Sequence, residues 1–234
     1  MSKSPIGKII CVFNPKGGVG KTTTSCQLAG TFGHRGYDVL VADLDEQSSA
    51  SKWVSRAGGN RDIYPASLWT GHFYNGNIAS ELGQLAGKYD LIIVDCAPAT
   101  KQPGTWASLL VSDLALIPTK LGPSDTDALA EAYMLAKQAR RESGVDFPVR
   151  VLPVAYRKSR ADDKQALEGL ANNTEYLDMP PTLVTLGDRV AFTRSMLYGA
   201  TVHSMPKAND AINEIDALAD EIAALIGIPP RKGK

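Results

Sequence analysis

The residues whose types and spacing suggest chemistry lie in the segment 13–24, which reads FNPKGGVGKTTT. Lys21 brings a mobile positive charge, and the hydroxyl of Thr22 can ligate Mg²⁺. An apolar run at 9–13 precedes the segment, and residues with helical spacing follow it. Such a strand, turn and helix start predict a phosphate-binding loop, because the helix N-terminus attracts an anion. Three glycines let the backbone wrap closely around that anion: Gly17, Gly18 and Gly20.

The loop departs from two standard patterns. In G-x-x-x-x-G-K-[ST] a glycine stands five positions before Gly20, and here that position is Pro15. The dinucleotide pattern G-x-G-x-x-G also fails, because Thr23 occupies the place of its third glycine. An additional lysine, Lys16, comes directly before the double glycine. A glycine-rich turn that binds nothing is the simpler alternative, but the two lysines and three threonines around the turn argue against it.

The segment 16–23, KGGVGKTT, resembles the deviant Walker A motif of the ParA/MinD family of positioning ATPases. The resemblance implies that ATP and Mg²⁺ are bound here and that Lys21 and Lys16 are catalytic. In that family the lysine at the position of Lys16 reaches across an ATP-sandwiched homodimer to the partner's nucleotide. The residues implied to bind nucleotide are Lys16, Gly17, Gly18, Val19, Gly20, Lys21, Thr22 and Thr23.

Strands and helices alternate along the whole chain. Apolar runs predict strands at 9–13, 39–42, 63–69, 91–95, 114–118, 149–154 and 182–186. Helices are predicted after the loop to about 35, from 48 onward, and at 78–86, 125–142, 160–171, 188–198 and 207–226. Continuous apolar strands separated by helices indicate a three-layer α/β/α fold with a mostly parallel central sheet. We expect a single domain over residues 1–234 with its core at about 8–226, a short flexible N-terminus and a basic tail.

Carboxylates end two of the predicted strands, at the edge where such sheets bind ligands. Asp43 ends the second strand with Asp45 just beyond it, and Asp95 ends the run at 91–94. A carboxylate there can order an attacking water or support Mg²⁺, although Asp43 can equally cap a turn. The resemblance implies that Asp45 activates water, and that Asp43 and Asp95 support the metal together with Thr22. The implied reaction is slow transfer of the γ-phosphoryl group to water, faster with a stimulating partner.

Composition limits the remaining possibilities. Lys+Arg and Asp+Glu both total 25, so no global positive field indicates nucleic acid. The three cysteines show no metal spacing, and we expect buried free thiols in a reducing cytoplasm. The N-terminus lacks a signal-peptide pattern, and no apolar run approaches the roughly 20 residues that span a bilayer. These features predict a cytoplasmic protein.

The resemblance leaves two main functional classes open. ParA-like members bind nonspecific DNA as ATP dimers and segregate plasmid, chromosome or protein cargo with a ParB-like or other hydrolysis-stimulating adaptor. MinD-like members bind membrane through a C-terminal amphipathic helix. Here the last predicted helix is acidic on its polar side, which opposes anionic lipid, so we expect no stable membrane association. A metabolic enzyme or metal-cluster carrier is a third possibility, disfavoured because no C-x-x-C motif is present.

Nonspecific DNA binding requires only local basic side chains that contact phosphates. The candidates are Arg157, Lys158, Arg160, Arg189, Arg194 and Lys207. Arg157 lies at the end of the sixth predicted strand, where the resemblance implies residues that contact the base, so it is also a candidate nucleotide-binding residue, or else a solvated loop arginine. The chain begins almost directly with the first strand, which leaves no room for a helix-turn-helix domain before it. We therefore expect a short partition-type ATPase associated with the nucleoid.

Overall fold

A computed structural model describes residues 7–74, 76–98 and 102–231 of the chain. The strands are β1 (Lys8–Val12), β2 (Val39–Asp43), β3 (Ser67–Thr70), β4 (Leu91–Asp95), β5 (Leu114–Thr119), β6 (Val149–Tyr156) and β7 (Leu186–Gly187). The helices are α1 (Lys21–His34), α2 (Ser49–Ser55), α3 (Ile78–Ala86), α4 (Pro103–Leu110), α5 (Pro123–Ser143), α6 (Ala161–Ala171), α7 (Val190–Tyr198) and α8 (Asn209–Ile226). Short 3₁₀ turns lie at Gly71–Phe73, Thr174–Tyr176 and Val202–Ser204.

The seven strands form one sheet in the order β3-β2-β4-β1-β5-β6-β7, and every pairing is parallel. The central strands β1, β2, β4 and β5 are buried along almost their whole length. Parallel strands need crossover helices, which cover both faces of the sheet and require apolar side chains on both. The apolar runs of the sequence satisfy this requirement, and the predicted parallel α/β/α fold is confirmed.

Alternate side chains of β1 pack into two separate hydrophobic cores. Ile10 and Val12 face a core that includes Phe32 of α1 and Ile215 of α8. Ile9 and Cys11 face the opposite core, which includes Leu109 of α4. Because the strand period is two, one strand contributes to both cores, and these are the two helical layers of the fold.

Three features of the fold differ from the sequence prediction. The third strand is only Ser67–Thr70, because residues 63–66 run as turn and coil before it, and Thr70 belongs to the strand. The last strand is Leu186–Gly187, preceded by an isolated bridge between Val151 and Pro181. Helix α4 (Pro103–Leu110) was not predicted. Both misplaced strands lie at sheet edges, where the apolar signal is weakest. The predicted loop at 70–77 contains Asn75, which lies outside the described residues.

Helix α8 is fixed to the body of the protein through its acidic side chains. Part of its acidic polar side contacts the protein body. Arg35 pairs with Asp216 and Asp220, at 3.2 and 2.6 Å. Glu221 accepts hydrogen bonds from the backbone N–H groups of Leu183 and Val184. The acidic face of α8 therefore fastens the helix to α1 and to the segment that leads into β7.

The ends of the chain and the cysteines complete the description. Arg231 pairs with Asp90 at 2.6 Å, so this part of the basic tail is attached to the body. The sequence predicts a flexible N-terminus and a basic tail. Residues 1–6 of this N-terminus and residues 232–234 of this tail lie outside the described residues. Cys11, Cys26 and Cys96 are buried free thiols, as predicted. Within the described part of the chain, none of the helices combines the length and apolar character that crossing a bilayer requires.

Candidate nucleotide-binding site

The glycine-rich loop joins β1 to α1 at the carboxyl edge of the sheet. Gly18 and Gly20 have φ angles of 70° and 87°, in the left-handed region that favours glycine. Gly20 is the N-cap of α1, and no side chain caps this helix end. The N–H groups of the first turn of α1 therefore remain available at the positive end of the helix dipole, which suits a bound phosphate.

A cleft of ≈ 490 Å³ opens above this loop. One wall is the loop itself, including Gly17, Thr22 and Thr23, while Asp45 and Pro98 lie on a second side. The opposite wall comes from β6, β7 and α7. Its members include Val154, Ala155, Gly187, Asp188, Arg189, Phe192, Thr193 and Met196. Val19 of the loop is buried and does not line the cleft, so it can contribute only its backbone. A cleft with a phosphate-binding end and an apolar end fits a nucleotide.

The ammonium group of Lys21 is held inside the loop. Its Nζ donates to the carbonyl oxygens of Asn14 and Lys16, at 3.1 and 2.9 Å. Lys21 is only 6% exposed, and burial lowers the pKa of its ammonium group while the charge of Asp95 raises it. Neutral carbonyl oxygens leave the positive charge uncompensated at short range. Lys21 is therefore positioned to bind an anionic oxygen in the cleft.

Asn14 organises the loop, although sequence analysis did not single it out. Its side-chain amide donates to the Pro118 carbonyl at 2.8 Å, and its Oδ1 accepts from the Lys16 N–H at 2.8 Å. Asn14 thus ties the loop to the end of β5 while its own carbonyl holds Lys21. The available signal was a polar residue directly after a fully apolar strand, since a buried amide needs partners on every side.

Asp95 at the end of β4 lies beside Thr22. The Thr22 hydroxyl donates to Asp95 Oδ2 at 2.7 Å, and the Ser25 hydroxyl donates to Oδ1 at 3.1 Å. Burial raises the pKa of the Asp95 carboxyl to about 7, against the opposing effect of these two hydrogen bonds. A buried carboxylate paired with a hydroxyl presents the hard oxygen ligands that Mg²⁺ prefers. The residues predicted to support the metal are thus brought together, and Ser25 is an additional member that the sequence did not indicate.

Asp43 and Asp45 have different surroundings. Asp43 is fully buried, and its two oxygens accept from the N–H groups of Asp45 and Ser51, at 3.1 and 2.7 Å. It therefore shapes the turn after β2, which was the alternative considered for it, and its role toward the metal stays a prediction. Asp45 is half-buried and lines the cleft, with Oδ1 accepting from the Gln47 N–H at 2.9 Å. Only Asp45 of the two presents its side chain to the cleft.

Lys16 extends from the loop toward the start of α5. Its Nζ lies 2.6 Å from Asp125 Oδ1 and donates to the Ser124 hydroxyl at 2.8 Å. Its backbone carbonyl faces Lys21. Within one chain, Lys16 therefore contributes only backbone to the phosphate loop, while its side chain is held by the start of α5. This position is compatible with the role in a second subunit that the resemblance implies, and that role stays a prediction.

The predicted basic residues fall into two groups. Three arginines are paired with carboxylates: Arg157 with Asp188, Arg160 with Asp163, and Arg189 with both Asp210 and Glu214. The other three, Lys158, Arg194 and Lys207, are exposed and form no ion pair with the described residues. Arg189 lines the cleft, whereas Arg157 does not and reaches it only through Asp188.

Comparison with known proteins agrees with this geometry. Residues 10–223 match the family model described as the CobQ/CobB/MinD/ParA nucleotide binding domain. The chain belongs to this family. The ParA/MinD resemblance of the loop motif is thereby confirmed.

Two relatives and one solved structure illustrate the similarity. The maintenance of carboxysome distribution protein A of Halothiobacillus neapolitanus is 24% identical and covers 91% of this chain and 95% of its own length. The sporulation initiation inhibitor protein Soj of Bacillus subtilis is 50% identical over 179 positions, which cover 62% of this chain and 70% of Soj. The ATP complex of a McdA variant from Cyanothece superposes with a TM-score of 0.73 at 16% identity, covering 94% of this chain and 98% of that one.

Proposed function

We propose that this protein is a Mg²⁺-dependent ATPase whose ATP-bound dimer binds nonspecific DNA and positions a cargo. The observation that carries the proposal is the convergence of Lys21, Thr22, Asp95 and Asp45 on one cleft. Lys21 and Thr22 begin α1, Asp45 follows β2 and Asp95 ends β4, so the fold brings them together only at the carboxyl edge of the sheet. The named relatives include proteins of carboxysome distribution and sporulation control, which supports a positioning role.

The phosphate loop holds the substrate before the reaction. The N–H groups at the start of α1 and the Lys21 ammonium face the same end of the cleft, and both favour negatively charged oxygens. The cleft is also lined by Phe192 and Met196, which can pack against a flat base. The cleft therefore suits an extended nucleotide with its phosphates on the loop.

Hydrolysis requires a group that orders water beside the γ-phosphate. Asp45 is half-buried, lines the cleft and accepts one hydrogen bond from its own loop, so its second oxygen can accept from a water. Thr22 and Asp95 would hold Mg²⁺, which neutralises charge on the phosphate oxygens when bound. The Thr22 hydroxyl donates its proton to Asp95 at 2.7 Å, so its oxygen lone pairs would remain available to the metal.

Dimerisation is proposed to complete the site through Lys16. Its ammonium group is held by Asp125 and Ser124 of its own chain. Contact with a partner's nucleotide requires Lys16 to exchange these partners for phosphate oxygens. A site completed by a second subunit makes assembly depend on ATP and lets hydrolysis, stimulated by an adaptor protein of the ParB-like kind, dissolve the dimer.

Three exposed cations have no ion-pair partner among the described residues, and they favour DNA as the surface on which the ATPase acts (the DNA-track proposal). Lys158, Arg194 and Lys207 are available to phosphates, whereas the arginines paired with acids contribute less. A cytoplasmic, nucleoid-associated location follows from this proposal. The alternative membrane-bound regulator is disfavoured because the apolar side chains of α8, such as Ile215 and Ile222, are buried in the core.

The test is binding of the Asp45→Ala protein to random-sequence duplex DNA, with ATP–Mg²⁺ or with ADP–Mg²⁺. We expect binding with ATP only, and a marked weakening from low to moderate salt because phosphate contacts release counterions. Lys158→Ala/Arg194→Ala should bind more weakly, and Lys88→Ala/Arg141→Ala, which removes two other exposed cations, should bind normally. Equal binding with both nucleotides, or none although ATP binds, would contradict the DNA-track proposal. ATP-dependent sedimentation with anionic liposomes would then support the membrane-bound regulator.

A further inference from the structure

His72 lies outside the residues assigned above, yet it contacts both ends of the loop that carries Asp45. It belongs to the 3₁₀ turn Gly71–Phe73 that directly follows β3, and β3 pairs with β2 up to Asp43. The imidazole Nδ1 lies 3.4 Å from the Asp43 carbonyl oxygen, and its Nε2 lies 3.1 Å from the Ser48 hydroxyl. The 43–48 loop begins at Asp43 and ends at Ser48, so a single half-buried ring bridges its two ends.

The two contacts fix the tautomer of the ring. A carbonyl oxygen can only accept, so Nδ1 carries the proton that points to Asp43. Nε2 of the neutral imidazole is then an acceptor, and the Ser48 hydroxyl must donate to it. The same hydroxyl has the Glu46 carbonyl as a second acceptor at 3.3 Å, which is farther than the ring nitrogen. His72 thus provides both a donor and an acceptor, as the two ends of the loop require.

The loop needs an external support because its own conformation is unfavourable. Ser48 has a φ angle of 54°, which a residue other than glycine adopts only when its surroundings impose it. The neighbouring residues Glu46 and Gln47 are exposed, and Lys52 Nζ donates to the Gln47 carbonyl oxygen at 2.9 Å from the solvent side of α2. The Ser48 N–H donates to the Asp45 carbonyl oxygen at 2.7 Å, so the backbone of Ser48 and that of Asp45 move together. A contact that holds Ser48 therefore also holds Asp45.

The turn that carries His72 packs tightly against its neighbours. A Cβ at Gly71 would lie 2.5 Å from Leu44 Cδ2 and 2.7 Å from the Trp69 ring, so only glycine fits between them. The turn therefore packs directly on Leu44, which is the residue between Asp43 and Asp45. This close backbone contact fixes the position of the turn, and with it the imidazole, relative to the 43–48 loop. A support for a reacting group needs such a rigid attachment.

We propose that His72 is a positioning residue that holds the 43–48 loop, and with it the Asp45 carboxylate, in the geometry needed for ATP hydrolysis. This inference rests on the proposed function, because it assigns Asp45 the task of ordering water. His72 acts through Asp43 and Ser48 and does not itself line the nucleotide cleft. The effect of losing it falls on the catalytic step, while the phosphate loop that binds ATP stays intact.

The test is steady-state ATP hydrolysis by His72→Ala. We expect kcat to fall by about tenfold, as for other residues that orient a reacting group, with KM for ATP changed by less than about twofold. His72→Gln, whose amide can reach the position of Nε2 and accept from Ser48, should retain a higher kcat than His72→Ala. Ser48→Ala should lower kcat as well, and the double variant His72→Ala/Ser48→Ala should fall no further than the lower single variant.

A second measurement is independent of activity. Hydrogen exchange at the backbone amides of Gln47 and Ser48, which both donate to Asp45, should be at least about fivefold faster in His72→Ala than in the unaltered protein. His203→Ala is the matched control. It removes another half-buried imidazole, which contacts Asp216 of α8 and no residue of the 43–48 loop among the described contacts. It should leave kcat and the exchange of the 43–48 loop unchanged.

The outcomes separate the two levels of the proposal. If the unaltered protein hydrolyses ATP and His72→Ala shows the same kcat and the same amide exchange, the role of His72 is overturned and the proposed function stands. A loss of ATP affinity with kcat unchanged would also overturn it, because it would place His72 in binding. If the unaltered protein binds ATP and never hydrolyses it, the proposed function fails and this inference fails with it.

Discussion

At the scale of single residues, the site places opposite charges in poorly solvated positions and leaves both incompletely compensated. Lys21 is held by two carbonyl oxygens, and Asp95 is held by two hydroxyl groups. Burial shifts both groups toward their neutral forms, lowering the pKa of Lys21 and raising that of Asp95 to about 7. A triphosphate with Mg²⁺ supplies the charges that each group lacks. The cleft is therefore electrostatically prepared for that ligand.

Lys21→Ala tests the first of these groups. We expect the affinity for ATP to fall by about 100-fold or more, because the variant removes a buried cation that is preorganised for phosphate. Isothermal titration calorimetry measures this directly. Lys88→Ala, an exposed lysine between α3 and β4, is the matched control and should bind normally. Affinity within about threefold of the unaltered protein would remove Lys21 from the binding role.

Asp95 should make the metal-free protein less stable as the pH rises. Its folded-state pKa of about 7 lies above the value in the unfolded chain, so the folded state binds more protons between about pH 4 and 7. Its contribution to the free energy of unfolding is fully present below about pH 4 and is lost as the pH rises through about 7. Asp95→Asn has no such ionisation. Its stability relative to the unaltered protein should rise between about pH 5 and pH 8, by on the order of a few kcal/mol.

Urea denaturation in the presence of a chelator measures this difference. Asp62→Asn, which changes an exposed carboxyl group, should follow the pH dependence of the unaltered protein. A constant difference between Asp95→Asn and the unaltered protein across this pH range would show that Asp95 is not held near neutrality by burial.

At the scale of elements, helix α8 supports the part of the cleft wall that Gly187 and Arg189 form. Glu214 accepts from the Gly187 N–H and pairs with Arg189, and both of these residues line the cleft. Glu221 holds Leu183 and Val184, shortly before β7, through their N–H groups. A two-residue edge strand has few ladder hydrogen bonds of its own, so these carboxylates replace the missing neighbour strand.

Glu221→Ala should lower the free energy of unfolding by about 1–2 kcal/mol, because it leaves the N–H groups of Leu183 and Val184 without their charged acceptor. Urea denaturation provides the measurement. Glu168→Ala on the exposed side of α6 is the control and should change the stability by less than about 0.5 kcal/mol. Equal stabilities of the two variants would show that α8 does not fasten this segment.

The sequence predicted best where one physical requirement dominates. Central strands such as β1 and β4 must be apolar on both faces, so the apolar runs of the sequence identified these strands. The glycines of the phosphate loop indicated its left-handed backbone conformation. Helix α4 escaped prediction because it combines Pro103 with small residues in one short element. The partner of Lys16 also could not be predicted, because Asp125 lies more than 100 residues away and only the packing of α5 brings it near. The same holds for His72, whose two partners belong to another strand and its loop.

At the scale of the whole molecule, the structure suggests a protein whose cycle depends on assembly. Every group proposed for hydrolysis except Lys16 lines or borders the cleft of its own chain. Lys16 alone is turned away, toward Ser124 and Asp125. On the proposed function, an isolated chain is expected to bind ATP and turn it over slowly, since a second copy would supply the last positive charge. The ATP-dependent dimer is therefore the central claim.

Sedimentation velocity of the Asp45→Ala protein with ATP–Mg²⁺ and with ADP–Mg²⁺ tests this claim most directly. We predict that ATP converts the 25.0 kDa monomer into a species of twice that mass, that ADP does not, and that Lys16→Ala/Asp45→Ala binds ATP and stays monomeric. Lys88→Ala/Asp45→Ala should dimerise normally. A protein that binds ATP and remains monomeric, or a Lys16→Ala/Asp45→Ala variant that dimerises as well as its parent, would contradict the central claim.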